Sequence, residues 1–155
     1  SSFVIALTTI VLGLLLWASD RHGNTGSDLA RMTLSIALVI GFAQAIALIP
    51  GTSRSGITMT AALFLGFNRV ASARFSMLLS IPIIVAAATL ETVKLATSGE
   101  EVPWNLMILG ILASAFSAFL CIHLFLRLLE RIGMTPFVIY RLILGAGLLL
   151  FVGLN

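Results

Sequence analysis

The sequence predicts an all-α, polytopic membrane protein with about four transmembrane helices and one re-entrant helix–loop–helix hairpin. Three observations carry this prediction. Of the 155 residues, 59% are hydrophobic and only 10% charged, against about 25% charged in soluble domains; mean hydropathy is +1.14. Apolar runs at 3–18, 75–95, 104–126 and 136–154 approach or reach the roughly 20 residues that cross a hydrocarbon core. Between the first two runs lie two apolar arms around a polar heptapeptide, Pro50-Gly51-Thr52-Ser53-Arg54-Ser55-Gly56.

The first run, 3–18, ends at Trp17, a residue suited to a membrane interface, and passes into the polar loop from Ser19. It is slightly short of a span, and no initiator methionine or basic leader precedes it, so the start of the chain looks cut. Ser27 is the expected cap of the next helix, and Asp28 favours its first turn. That helix is read over 29–49 and stops at Pro50-Gly51. The returning arm, 57–67, covers only about 16 Å as a helix, half of a roughly 30 Å core. Asn68 to Arg74 is too charged for the midplane, and 75–95 spans alone, with Pro82 as its expected kink. The economical solution is a hairpin over 29–67 with its tip at 50–56. Irregular backbone at that depth must be buried in protein or line a wet cavity. A loop containing Glu100 and Glu101 precedes the run at 104–126, and Thr135-Pro136 opens the last helix. The whole of 1–155 reads as one integral membrane domain.

Charge tests this layout. If the hairpin returns to its side of entry, Arg21, Arg31, Arg69, Arg74, Arg127 and Arg131 share one face, and Lys94, Glu100 and Glu101 share the other. Positive residues concentrate on the cytoplasmic side, so the arginine-rich face is expected inside and the C-terminus outside. A net charge of +3 is too small and scattered for nucleic-acid binding.

The tip is the chemical centre of the sequence. Proline ends the entering helix, and Gly51 and Gly56 permit a tight turn and close approach of a ligand. A helix beginning near Thr52 or Ser53 directs its free N–H groups, those of Ser55, Gly56 and Ile57, outward from a positive dipole end. Arg54 adds a planar donor fork matched to phosphate, and Ser53, Ser55, Thr58 and Thr52 add hydroxyls. An arginine at membrane depth normally marks a function; the plainer alternative, snorkelling, is hard about a dozen residues from either polar flank. Gln44, one and a half turns before the tip, divides evenly between bonding the loop and bonding a ligand.

The remaining polar residues read more simply. His22 is solvated, and His123 is a packed neutral histidine. Glu91 and Lys94 form an interfacial ion pair, and Arg141 snorkels to lipid phosphate. Cys121 is a small buried hydrophobe. Gly110, Gly145, Gly147 and Gly153 allow close helix contact. No His/Cys/carboxylate cluster suggests a tightly held metal.

With these residues in view, the chain resembles the undecaprenyl-diphosphate phosphatase family of the bacitracin-resistance type. Gly41-Phe42-Ala43-Gln44, the block 50–56, Ser76 to Pro82 and Pro136-Phe137-Val138-Ile139-Tyr140-Arg141 carry the resemblance over nearly the whole length. The resemblance implies hydrolysis of a polyprenyl diphosphate to the monophosphate in the bacterial inner membrane. It also implies an inverted-repeat fold of which this chain is the C-terminal part, a divalent cation (magnesium or calcium) as helper, membrane lipids as partners, and a homodimer as an open question. Arg54 matches the diphosphate-binding arginine; Ser53, Ser55 and Thr58 match polar residues of the same motif. The family's other motif, with glutamates, serines and a histidine, has no match here, so this part alone is expected to be inactive. A lipid-phosphate or anion transporter with a mid-membrane site is the alternative. The other membrane phosphatase pattern, with a histidine downstream of S-R, fails because Ala61 and Ala62 stand there.

Overall fold

The computed structural model describes residues 2–23, 26–97, 99 and 103–153. Six α-helices lie among them: α1 Ser2–His22, α2 Leu34–Ala43, α3 Arg54–Phe64, α4 Arg69–Thr97, α5 Trp104–Ile132 and α6 Thr135–Gly153. Four of these, α1, α4, α5 and α6, are long and apolar enough to cross a membrane. The chain is an all-α polytopic membrane protein, as its composition predicts. Glu100 and Glu101, Asn24 and Leu154 lie outside the described residues.

The entering arm departs from the single helix expected over 29–49. It is a 3-10 turn at Leu29–Arg31, then α2, then a second 3-10 segment at Gln44–Leu48. Asp28, not Ser27, caps the first turn: its carboxylate accepts the Leu29 N–H at 2.7 Å. Thr33 restarts the helix by accepting from the Ile36 N–H at 3.3 Å. The tightening after Ala43 ends in an extended Ile49, the conformation that a following proline enforces.

Ser27 has a different task. Its N–H donates to the Gly66 carbonyl at 3.1 Å, and its carbonyl accepts the Asn68 N–H at 2.8 Å. These bonds clip the base of the helical hairpin shut, so the chain enters and leaves it at one place. The returning helix α3 stops at Phe64, three residues before the expected end. Phe67 N–H donates to Ala62 and Gly66 N–H to Leu63, a helix stop that needs positive φ at Gly66 (φ 90°). Asn68 then caps α4 by accepting from the Ala71 N–H at 2.7 Å. The stretch from Arg69 to Arg74, read as too charged for the midplane, therefore forms the first turns of α4, which runs on through Pro82. Helix α5 likewise extends past 126, to Gly133 (φ 75°).

The core lies where α1, α3 and α6 meet the first turns of α4 and the last turns of α5. Leu16, Met59, Leu63, Leu129, Met134 and Val138 are buried together, with Phe125 edge-on to Phe137 at 5.0 Å. Ile40, Ala62 and Phe67 of the hairpin form a second cluster with Ala71 of α4. Gly145 lies against Ile10 and the Ala6 carbonyl, letting α6 approach α1, whereas Gly110, Gly147 and Gly153 face open space. Of the four glycines expected at close contacts, Gly145 alone serves there among the described residues.

One end of the bundle collects the charge. The Arg69 guanidinium donates to both Asp20 carboxylate oxygens, at 2.6 and 3.0 Å, and lies 3.0 Å from where a side chain at Gly133 would begin. Arg21 stacks over Trp17 at 4.4 Å. Arg69 and Arg74 share a shallow depression with Asp28 and Glu130. Glu91 and Lys94 pair at 2.7 Å, fully outside the core, near the opposite end of α4.

Candidate active site

The hairpin tip is built from both sides. Gly51 turns with φ 90°, a conformation that favours glycine, and its α-carbon faces the Ile5 backbone and Thr8 of α1 so closely that a side chain would collide. Thr8 Oγ1 reaches the Pro50 carbonyl at 2.8 Å and Thr9 Oγ1 the Gly51 carbonyl at 3.3 Å. Both hydroxyls also bond within α1, so each shares its one proton between helix and tip. Thr9 stands eleven residues before Asp20, roughly 16 Å along the helix. The tip therefore sits about midway between the charged end of the bundle and its opposite end.

Ser53 caps α3: its hydroxyl accepts from the Gly56 N–H at 3.2 Å and lies 3.2 Å from the Ser55 hydroxyl. The Ile57 N–H donates to the Ser53 carbonyl at 3.0 Å. Two of the three N–H groups expected to point at a ligand, those of Gly56 and Ile57, are thus already spent on Ser53.

A cavity of about 700 Å³ opens beside the tip. Gly51, Thr52, Ser53, Ser55 and Gly56 form its polar wall; Phe125, Phe137 and Leu144 contribute apolar surface. Of the six residues expected to bind substrate, the structure brings Ser53, Ser55 and Gly56 to this cavity and leaves Arg54, Thr58 and Gln44 off its wall. Helix geometry explains the first exclusion. At about 100° per residue, Arg54 stands roughly 150° round α3 from the face of Ser55, Gly56 and Met59. Thr58 points at α4, where its buried hydroxyl meets the Ser76 hydroxyl at 2.6 Å and bonds back to the Arg54 carbonyl at 3.0 Å. It tethers two helices rather than facing the cavity. Gln44 opens the second 3-10 segment, and its N–H donates to the Ile40 carbonyl.

The guanidinium on the cavity wall belongs to Arg141 of α6. The snorkelling expected of it does not occur: Nη2 donates to the Gly51 carbonyl at 3.4 Å, toward the tip and away from the charged end. Cys121 and Tyr140 also line the cavity. Cys121 is exposed rather than buried, because α5 presents little of its surface to the core. His123 is exposed too, stacked on Phe119 at 6.4 Å, and takes no part in the cavity. Only the motif Pro136 to Arg141, read as a unit, signalled these α6 residues in the sequence. His22 bonds its own helix at Ala18 and stays exposed.

A divalent cation does not fit the residues present. No carboxylate or imidazole lines the cavity, and among the described residues no three His, Cys, Asp or Glu side chains gather; hard cations are held by carboxylate and carbonyl oxygens.

Comparison with known proteins finds relatives over nearly the whole chain. The chain is 62% identical to an undecaprenyl-diphosphatase of Chromohalobacter salexigens over 98% of its own length and 57% of that protein. It is 58% identical to an undecaprenyl-diphosphatase of Alcanivorax borkumensis over 96% of this chain and 56% of the relative. It is 53% identical to undecaprenyl-diphosphatase 1 of Pseudoalteromonas translucida over 99% and 58%. The chain thus spans a little more than half the length of these curated relatives. The family model for bacitracin resistance protein BacA matches residues 1–147, and the chain belongs to that family.

Proposed function

We propose that the protein of which this chain forms a part hydrolyses undecaprenyl diphosphate, releasing inorganic phosphate and leaving the lipid monophosphate. The observation that carries this is the cavity beside the tip. Its polar wall is hydroxyls and a guanidinium with no carboxylate, a donor set matched to phosphate oxygens, and its apolar wall suits a prenyl chain. Relatives named for this activity supply the reaction. Water adds to the terminal phosphorus, and the bond to the bridging oxygen breaks. Ser53 and Ser55 donate to the phosphate from the cavity wall, and Arg54, which stands off that wall, meets the diphosphate once its side chain swings round the start of α3. Donors fixed before the reaction stabilise the charge that grows on the oxygens.

Full-length protein in detergent is expected to release phosphate from undecaprenyl diphosphate, and Arg54→Ala to abolish release with Tm unchanged. Transfer of an intact lipid phosphate across vesicles without release would instead establish the transporter.

We further propose a re-entrant hairpin over 29–67 in the bacterial inner membrane, with the arginine-rich end cytoplasmic. The closed base at Ser27 and Asn68 supports it, as does the gathering of Arg69 and Arg74 with Asp20 and Glu130. A cysteine replacing Glu100 is expected to react with an impermeant thiol reagent from outside the cell, and one replacing Arg69 to stay unlabelled. The opposite pattern reverses the orientation.

A further inference from the structure

We propose that Arg141 is a further residue that grips a substrate phosphate in the tip cavity, and that Gly56 is the slot that seats its guanidinium. This deepens the diphosphate reading of the same cavity and rests on it.

The α6 backbone at Arg141 packs beside Gly13 of α1, whose missing side chain would meet the Arg141 Cβ at 3.4 Å. From there the stem runs toward the tip. Nη1 lies where a methyl group at Gly56 would stand, 2.5 Å from its position. Nη2 has one acceptor, the Gly51 carbonyl, at 3.4 Å, near the outer limit of a hydrogen bond. Nε is shielded from solvent with no acceptor at all, and the Thr52 hydroxyl on the same wall is in the same condition. Only one other such side-chain atom, in Ser72, occurs among the described residues.

The two unspent groups therefore converge on one cavity. They stand beside the hydroxyls of Ser53, Ser55 and Tyr140 and no carboxylate. A guanidinium partly withdrawn from water, its Nε fully shielded, with no counter-charge is costly and marks a ligand or partner. The missing component is an anion rich in acceptors, and a phosphate group meets a planar guanidinium with two parallel bonds. A shift of the weakly held side chain turns Nε and Nη2 toward such a group.

The plainer role for Arg141 is a tie that holds the Gly51 carbonyl. Gly56→Ala separates the two. Alanine is the better helix former, and its methyl displaces only the mobile end of the arginine, while the Ser53 Cβ at 3.2 Å gives slightly. The experiment uses full-length protein in detergent. It measures phosphate release from a prenyl diphosphate, binding of the methylene-bridged bisphosphonate of the same lipid, and Tm. Arg141→Gln is expected to raise KM and the bisphosphonate Kd about tenfold or more, the loss of a charge-assisted bond. Arg141→Lys falls between, and Gly56→Ala raises both constants with no loss of Tm.

Unchanged KM and Kd in Arg141→Gln, with wild-type hydrolysis intact, overturns the inference and leaves the proposed activity standing. Wild-type protein that binds the bisphosphonate without hydrolysing, and loses it in Arg141→Gln, removes the activity and keeps the grip. Failure of the wild type in both assays removes both. Should Arg141→Gln fail to fold, Gly56→Ala decides: a tie alone predicts KM and Kd unchanged there.

Discussion

The wedge that α1 forms with α3 and α6 contrasts with the long helix α5: α1 and α5 are about equally apolar in sequence but packed in opposite ways. In α1 a third of the most apolar stretch is buried, whereas none of the corresponding stretch of α5 is, its buried Leu129 lying near the C-terminal end of the helix. Where lipid is as apolar as leucine, burial of leucine gives no advantage; small residues and hydroxyl bonds decide which helices associate. The wedge has both. Gly145 admits Ile10, Gly13 admits Arg141, and Thr8 and Thr9 bond the tip. Along α5, Phe116, Phe119 and Leu112 face outward, and Gly110 meets nothing. Polar function and close packing therefore occupy one region, and the other presents a surface fit for lipid.

Mutations can break this contrast. The largest effect is expected from Gly51→Ala, which forces positive φ on a side chain, about 1–3 kcal/mol by itself, and drives it into the Ile5 backbone. Thermal unfolding in detergent should show the greatest loss of Tm, with activity gone; a Tm equal to wild type would mean the tip is not clamped on α1. Gly145→Ala should follow, at about 1–3 kcal/mol for overpacking against Ile10, while Gly147→Ala leaves Tm in place. Equal effects at 145 and 147 would show that close packing is not what separates the regions. Smallest is the charge comparison. Asp20→Asn breaks a two-bonded pair whose carboxylate is buried and is expected to cost about 1–2 kcal/mol. Glu91→Gln breaks an exposed pair worth no more than about 0.5 kcal/mol. Comparable losses from the two would erase the difference between the packed end and the exposed arm.

Much of the architecture was legible because it follows from local chemistry. The apolar runs predict α1, α4, α5 and α6 from length alone, and Pro50 with the Ser53 cap places the turn and the start of α3. Less legible were the bonds that depend on a distant partner. Ser27 has the chemistry of a cap, but Asp28 beside it supplies a stronger acceptor, and Ser27 is drawn to Gly66 and Asn68 across the hairpin base. Thr58 matches a binding motif, yet Ser76, eighteen residues on, claims its hydroxyl.

The two arginines show the division most clearly. By itself the sequence determined that this chain lives in a membrane, that its helices break at 50–56, and that cationic and hydroxyl side chains gather there, since composition, proline and capping act over a few residues. Which guanidinium reaches the cavity was decided by tertiary structure. The pitch of α3 turns Arg54 aside, and α6, drawn against α1 by Gly145 and Gly13, delivers Arg141 from 85 residues beyond the tip residue Gly56. No local pattern encodes that meeting, because it depends on how closely two helices can approach.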